Sequence, residues 1–163
     1  MWIHSRKFNE EKNIITLDCK YIFSFLRSDG FNERLLNAEL LIDHNFNYTF
    51  QMAAFQHEKI TKNKSDFFIE KGRPTGKIFN YLERLLDSEY KTLHQDYSPA
   101  HLAITDSGNQ MFILNFDTES LNVNIIDGYP KSCFETDAEL LLFEFNEYLK
   151  NWVETKYQDW LQV

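Results

Sequence analysis

The six residues Gly72-Arg73-Pro74-Thr75-Gly76-Lys77 come nearest to a recognised chemical device, because a glycine-bounded turn that ends in lysine and opens a helix can cradle phosphate. Backbone amides at a helix N-terminus would supply the donors, and the lysine a compact positive charge. The spacing Gly-x-x-x-Gly-Lys is one residue short of a phosphate loop, however, and Ile78 stands where a magnesium-binding hydroxyl is needed. A helix-entry turn accounts for the same residues. His94, Asp96 and His101 invite comparison with a metal site, but their spacing matches no ligand pattern tied to a mechanism, and a solvated loop explains them. His4, His44 and His57 are isolated along the chain. Ser107 lies in Asp106-Ser107-Gly108-Asn109, a composition expected of a turn between strands and not of a nucleophile elbow. No catalytic residue, metal site or cofactor is therefore assigned, and the chain is read as a non-enzyme. A small enzyme acting on a phosphorylated or nucleotide substrate through residues 72–77 stands as one alternative, and a self-assembling adaptor protein as another.

Any such residues depend on the elements that hold them. Ile14-Ile15-Thr16-Leu17 and Cys19-Lys20-Tyr21-Ile22-Phe23-Ser24-Phe25-Leu26 are rich in β-branched and aromatic residues and read as strands, with Cys19, Tyr21, Phe23 and Phe25 alternating. Residues 46–52 alternate between apolar and polar, and Asp43-His44-Asn45 supplies turn chemistry after Leu40-Leu41-Ile42, which predicts a hairpin. The Leu, Ala and Glu content of residues 33–41 supports a competing helix. Residues 59–77 are polar and read as a long connection, with Phe67-Phe68-Ile69 a short strand within it. Ile78, Leu82, Leu85 and Leu86 then recur at helical spacing behind Thr75 as N-cap. Leu102-Ala103-Ile104-Thr105, residues 110–116 and residues 121–126 are three β-type runs, separated by Asp106-Ser107-Gly108-Asn109 and Asp117-Thr118-Glu119-Ser120, and predict an antiparallel meander. Residues 135–161 form an amphipathic helix with Leu141, Phe145, Tyr148, Leu149, Trp152 and Val153 on one stripe. The expected architecture is α+β: one domain over residues 1–163, with a largely antiparallel sheet and two main helices packed on one face.

Composition narrows the class of function. With 15 Phe, 8 Tyr and 3 Trp in 163 residues, an aromatic core can form without staples, and the two cysteines, Cys19 and Cys133, are expected as buried reduced thiols. Neither a signal-peptide pattern nor a run of membrane-spanning length occurs, so a cytoplasmic location is expected. Residues 1–80 carry 12 Lys+Arg against 10 Asp+Glu, whereas residues 81–163 carry 5 against 15, giving +2 and −10. So acidic a half repels nucleic acid and attracts a basic protein, and no membrane contact is expected. Residues 59–77 hold six basic and two acidic residues, which suits a solvated connection or a local anion site. At 100° per residue, Glu147, Asn151 and Glu154 lie opposite the apolar stripe of the final helix, Glu144 lies nearby, and Phe143 and Leu161 project into the polar arc. Glu144, Glu147, Glu154 and Phe143 are therefore the candidate partner-binding residues, with a plain solvated helix face as the rival account.

From Ala100 onward, Leu102-Ala103-Ile104-Thr105-Asp106-Ser107-Gly108-Asn109-Gln110-Met111-Phe112-Ile113-Leu114-Asn115-Phe116-Asp117, then residues 123–127, then a helix entered near Phe134, the pattern resembles the SUKH superfamily of bacterial immunity proteins. The resemblance covers about the last third of the chain. The β-rich N-terminal half departs from it, since that family typically begins with a helix. The resemblance implies a small intracellular protein that binds a cognate toxin, often a nuclease, and blocks it by occlusion, without a cofactor. An acidic inhibitor facing the positive cleft of such a toxin gains association rate through steering.

Overall fold

A computed structural model describes residues 2–30, 36–54, 67–98 and 108–162. It is α+β, as the sequence predicts. The strands are β1 (Arg6–Asn9), β2 (Ile14–Leu17), β3 (Tyr21–Ser28), β4 (Asn37–Asp43), β5 (Tyr48–Ala53), β6 (Phe67–Gly72), β7 (Asp96–Tyr97), β8 (Asn109–Phe116) and β9 (Glu119–Ile126). The helices are α1 (Gly76–Asp87) and α2 (Asp137–Gln162). β1 and β2 form a separate ribbon, and the other strands make one sheet in the order β6-β5-β4-β3-β8-β9-β7, antiparallel except where β7 runs parallel beside β9.

The hairpin of β4 and β5 forms where turn chemistry places it. The Asp43 carboxylate accepts the Asn45 and Asn47 amides, both at 2.9 Å, and Phe46 takes a φ of 58° with its ring 5.1 Å from that of Phe79. A helix over residues 33–41 does not survive: residues 37–41 are strand, because β4 sits between β3 and β5 and ladder pairing overrides propensity. Residues 33–35 lie outside the described ones.

Alternation along β3 is interrupted. Tyr21 pairs with Asp43 and Phe23 with Ile42, so Ile22 is the extra residue of a bulge. Phe23 and Phe25 consequently face the helices, whereas Tyr21 packs on the opposite face with Leu17, Leu41 and Ile113. Cys19, in the turn before β3, and Cys133, in a 3-10 turn (Lys131–Cys133), are both exposed, which corrects the expectation of buried thiols. The turn between β8 and β9 is Asp117 and Thr118 alone, with Glu119 and Ser120 already in β9. The first strand expected of the meander, residues 102–105, lies outside the described residues; the place beside β8 and opposite β9 is taken by β3, and β9 has β7 as its outer neighbour. Tyr97 of β7 is 2% exposed and stacks 4.8 Å from Phe134, so it anchors this stretch to the core, while His94, Gln95 and Asp96 are exposed as a solvated loop would have them.

Both helices cover one sheet face. Ile78, Leu82 and Leu85 of α1 and Leu142, Phe145, Leu149 and Val153 of α2 meet Phe23, Phe25, Phe50 and Phe112. Phe145 stacks on Phe23 at 5.6 Å and on Tyr81 at 5.2 Å, so one ring joins the sheet to both helices.

The opposite face is covered by the N-terminal segment through polar side chains. Glu39 has no exposed surface and accepts hydrogen bonds from Ser5 (2.5 Å), Ser24 and Gln51 (3.0 Å each) and Arg6 (3.2 Å). Gln51 also brackets the Ile3 backbone, accepting its N–H at 2.8 Å and donating to its carbonyl at 3.0 Å. Asn122 does the same for Ile15 at 2.7 and 2.8 Å, and Ser120 accepts the Leu17 amide at 3.0 Å. Asn122 and Ser120 thus take the place of a second strand partner on the edge of β2 away from β1, and with Gln51 they satisfy backbone groups that burial would otherwise leave unpaired.

Candidate functional site

The start of α2 is fixed by a reciprocal cap. The Thr136 hydroxyl accepts the Glu139 amide at 3.1 Å, and the Glu139 carboxylate accepts the amides of Thr136 (3.0 Å) and Glu135 (3.3 Å). Burial pushes the Glu139 carboxyl up, but these amides and the Tyr97 hydroxyl outweigh it and hold the group below the usual carboxylate range. His94, 3.9 Å from Glu139, belongs to this cap. His101 lies outside the described residues, and among those described no cluster of His, Cys, Asp and Glu could hold a metal.

From the cap, α2 runs across the sheet and presents a polar ridge. Its exposed residues are Asp137, Glu144, Glu147, Asn151, Thr155, Gln158, Asp159 and Gln162, all acidic or neutral. From Asp137 to Asp159 the ridge is about 33 Å long. Glu144 and Glu147 stand on it as predicted. Glu147 is 3.4 Å from Lys150 on its flank, and Lys150 is also 3.6 Å from Asp127. Glu154 differs: it is half-buried and lies 3.5 Å from Arg27, which also donates to the Lys150 carbonyl at 2.9 Å. Part of its charge is thus spent holding α2 to β3. Phe143 does not project freely. Its ring is half-buried, 5.1 Å from Phe134 with the Lys131 ammonium 5.8 Å from its centroid, and Leu161 is likewise partly buried against the core. Glu144 and Glu147 are exposed where the 100° construction puts them, whereas that construction misses Asp137 and Asp159: Asp159 lies eighteen residues, five full turns, after Leu141 and so falls in line with the apolar stripe, and only the tertiary packing leaves it exposed.

The turn at residues 72–77 enters α1 without phosphate-loop chemistry. Thr75 takes the N-cap position with no side-chain bond, and Ile78 is 1% exposed in the core. The side chain at the hydroxyl position therefore points away from any ligand in the turn. Lys77 lies over the Tyr148 ring, 5.6 Å from its centroid. Ser107 is outside the described residues, and Gly108 has a packing reason: a Cβ there would come within 2.7 Å of the Ser28 carbonyl.

An open cleft of about 860 Å³, which no motif announces, lies beside the β1–β2 ribbon and is lined by residues that include His4, Lys7, Asp18, Cys19, His44 and Asn115. Cys19 and His44 meet there only through the backbone, with His44 Nε2 2.8 Å from the Cys19 carbonyl oxygen. The Asn115 amide nitrogen donates to the carbonyls of Leu17, Asp18 and Tyr21. These contacts brace the turn and assemble no nucleophile-base pair. The β-branched run Ile14-Ile15-Thr16-Leu17 behind the short polar turn of residues 10–13 is the signal for the ribbon, whereas Arg6-Lys7-Phe8-Asn9 on the other side of the turn carries no alternation to mark it as a strand.

No protein-family model matches this chain, and no curated protein shows significant similarity to it. No helix among the described residues is long and apolar enough to cross a membrane.

Proposed function

We propose that this protein is a non-catalytic inhibitor of the immunity type, which binds and occludes a basic protein toxin, a nuclease being the best fit, through the exposed side of α2. The observation that carries the reading is the absence of any cation among the exposed residues of α2, with Asp137, Glu144, Glu147 and Asp159 on one ridge. Helix-face solvation alone does not require a single sign of charge, and surface helices commonly intersperse both. Glu144 and Glu147 are the central contacts, Glu154 a secondary one, and Phe143 lends its partly covered ring at the N-terminal end. No cofactor enters, and the cytoplasm of a bacterial cell is the setting that the reading implies.

The test is protection. Cells expressing a toxin-like protein encoded beside this chain should survive when the chain is co-expressed, and E144K/E147K should lose protection while keeping the wild-type melting temperature. Full protection by the double reversal, or no protection by the wild type, overturns the reading.

A further inference from the structure

β6 closes one end of the large sheet. β5 pairs with one of its edges, and among the described residues no strand lies beyond the other. Open edges are normally blunted by proline, a bulge, clustered charge or very short length. β6 has six residues, Phe67-Phe68-Ile69-Glu70-Lys71-Gly72, with no proline and an unbroken register against β5. Ile69 is 42% exposed, one of two large apolar side chains so exposed among the described residues; the other, Phe8, belongs to β1. Ile69 pairs with Gln51, whose side chain faces away from the helices toward Ile3 and Glu39, so Ile69 lies on that same face. Phe67, two residues earlier, shares the face and meets the Trp2 ring edge-on at 5.9 Å. The open edge is thus bordered by an apolar strip of Trp2, Phe67 and Ile69.

We propose that β6 is a self-association edge at which a second copy of this chain adds its own β6 antiparallel across a two-fold axis. Charge and side-chain direction select the register. Paired residues must point to the same face, so a two-fold axis has to centre on a residue. Only centres at Ile69 and Glu70 pair five residues of the strand. Centring on Glu70 sets two carboxylates directly opposite each other, which is destabilising. Centring on Ile69 sets Ile69 against Ile69, Phe67 against Lys71 and Phe68 against Glu70, with no like charges opposed. Glu70 is already held on the helix side by the Lys156 ammonium at 2.6 Å and by the Tyr48 hydroxyl, so Phe68 of the second copy approaches a carboxylate whose charge is balanced. This self-complementarity identifies the occupant as another copy and not an unrelated peptide.

The experiment is light scattering of the full chain between about 1 µM and about 1 mM, a range that captures edge contacts of micromolar strength. The mass should rise from 19.5 kDa toward twice that value. Ile69→Lys places two ammonium groups at the axis and should hold the mass at the monomer value, weakening association at least tenfold with unchanged circular dichroism; Ile69→Leu should associate like the wild type. Phe8→Ser should leave association intact. A wild type that stays monomeric throughout, an Ile69→Lys variant that associates normally, loss of association in Phe8→Ser, or growth beyond a dimer each overturns the proposal.

Discussion

At the residue scale, two carboxylates do structural work that their charge would not suggest. Glu39 is buried under the N-terminal segment with four donors converging on it, so its removal strands two hydroxyls, an amide and a guanidinium at once. Arg6 keeps contact with water, with 28% of its side chain exposed, which limits the loss. Glu39→Ala should therefore cost about 3 kcal/mol in urea unfolding, and the loss of Ile3 anchoring should appear as faster amide exchange in residues 3–6. Glu139 works through the cap. Its folded-state pKa lies below the unfolded value, so its contribution is fully present above the unfolded carboxylate range near about 4.3 and is lost as pH falls through the folded value. Glu139→Ala should cost about 1 kcal/mol at neutral pH, and the gap between wild type and variant should close in thermal melts taken toward about pH 3. A gap that persists in acid would show that the cap acts by packing and not by its charge.

At the element scale, the helix-entry turn shows how a chemical motif and a packing motif compete for the same residues. Residues 72–77 carry the glycines and the lysine of an anion turn, yet Ile78 is a core residue beside Leu82 and Leu85. Ile78→Thr restores the hydroxyl at the motif position. It should lower stability by about 2 kcal/mol and yield no thermal shift with ATP and magnesium, because the threonine side chain would be buried against the sheet; a saturable shift would reopen the enzyme reading. The elements themselves were legible wherever period and turn chemistry agreed: the Asp43 turn between β4 and β5, the 3.6-residue stripe of α2, and the paired runs of β8 and β9. What stayed illegible has physical causes. The bulge at Ile22 shifts alternation by one residue without any glycine or proline to mark it. β7 is two residues long and is held by burial of Tyr97, and the ribbon of β1 and β2 depends on Asn122 and Ser120, more than 100 residues away in sequence. Of the candidate site, helical geometry gave the positions of Glu144 and Glu147, whereas the pairing of Glu154 with Arg27 and the cover over Phe143 are tertiary contacts with no local trace.

At the scale of the whole molecule, the charge division between the two halves of the chain becomes a division in space only in part. Asp117 and Glu119 lie at the turn between β8 and β9, and Glu83 and Asp87 lie on α1, so the acidic half is not one patch. The α2 ridge is nevertheless distinct, because Lys150 and Lys156, the lysines of α2, sit on its flanks in contact with Glu147, Asp127 and Glu70. Removing those lysines would deepen the negative field along the ridge, whereas reversing Glu144 and Glu147 would break it at its centre. Long-range attraction of this kind acts on encounter more than on the docked complex, and it fades when the Debye length shrinks from about 30 Å at 0.01 M salt to about 8 Å at 0.15 M. With a purified basic partner, E144K/E147K should slow association about tenfold or more at low salt, with a much smaller difference at physiological salt. Stopped-flow measurement across that range checks this. A slowing that is independent of salt would mean that the two glutamates act only as direct contacts, and no slowing at all would remove the ridge from the binding surface.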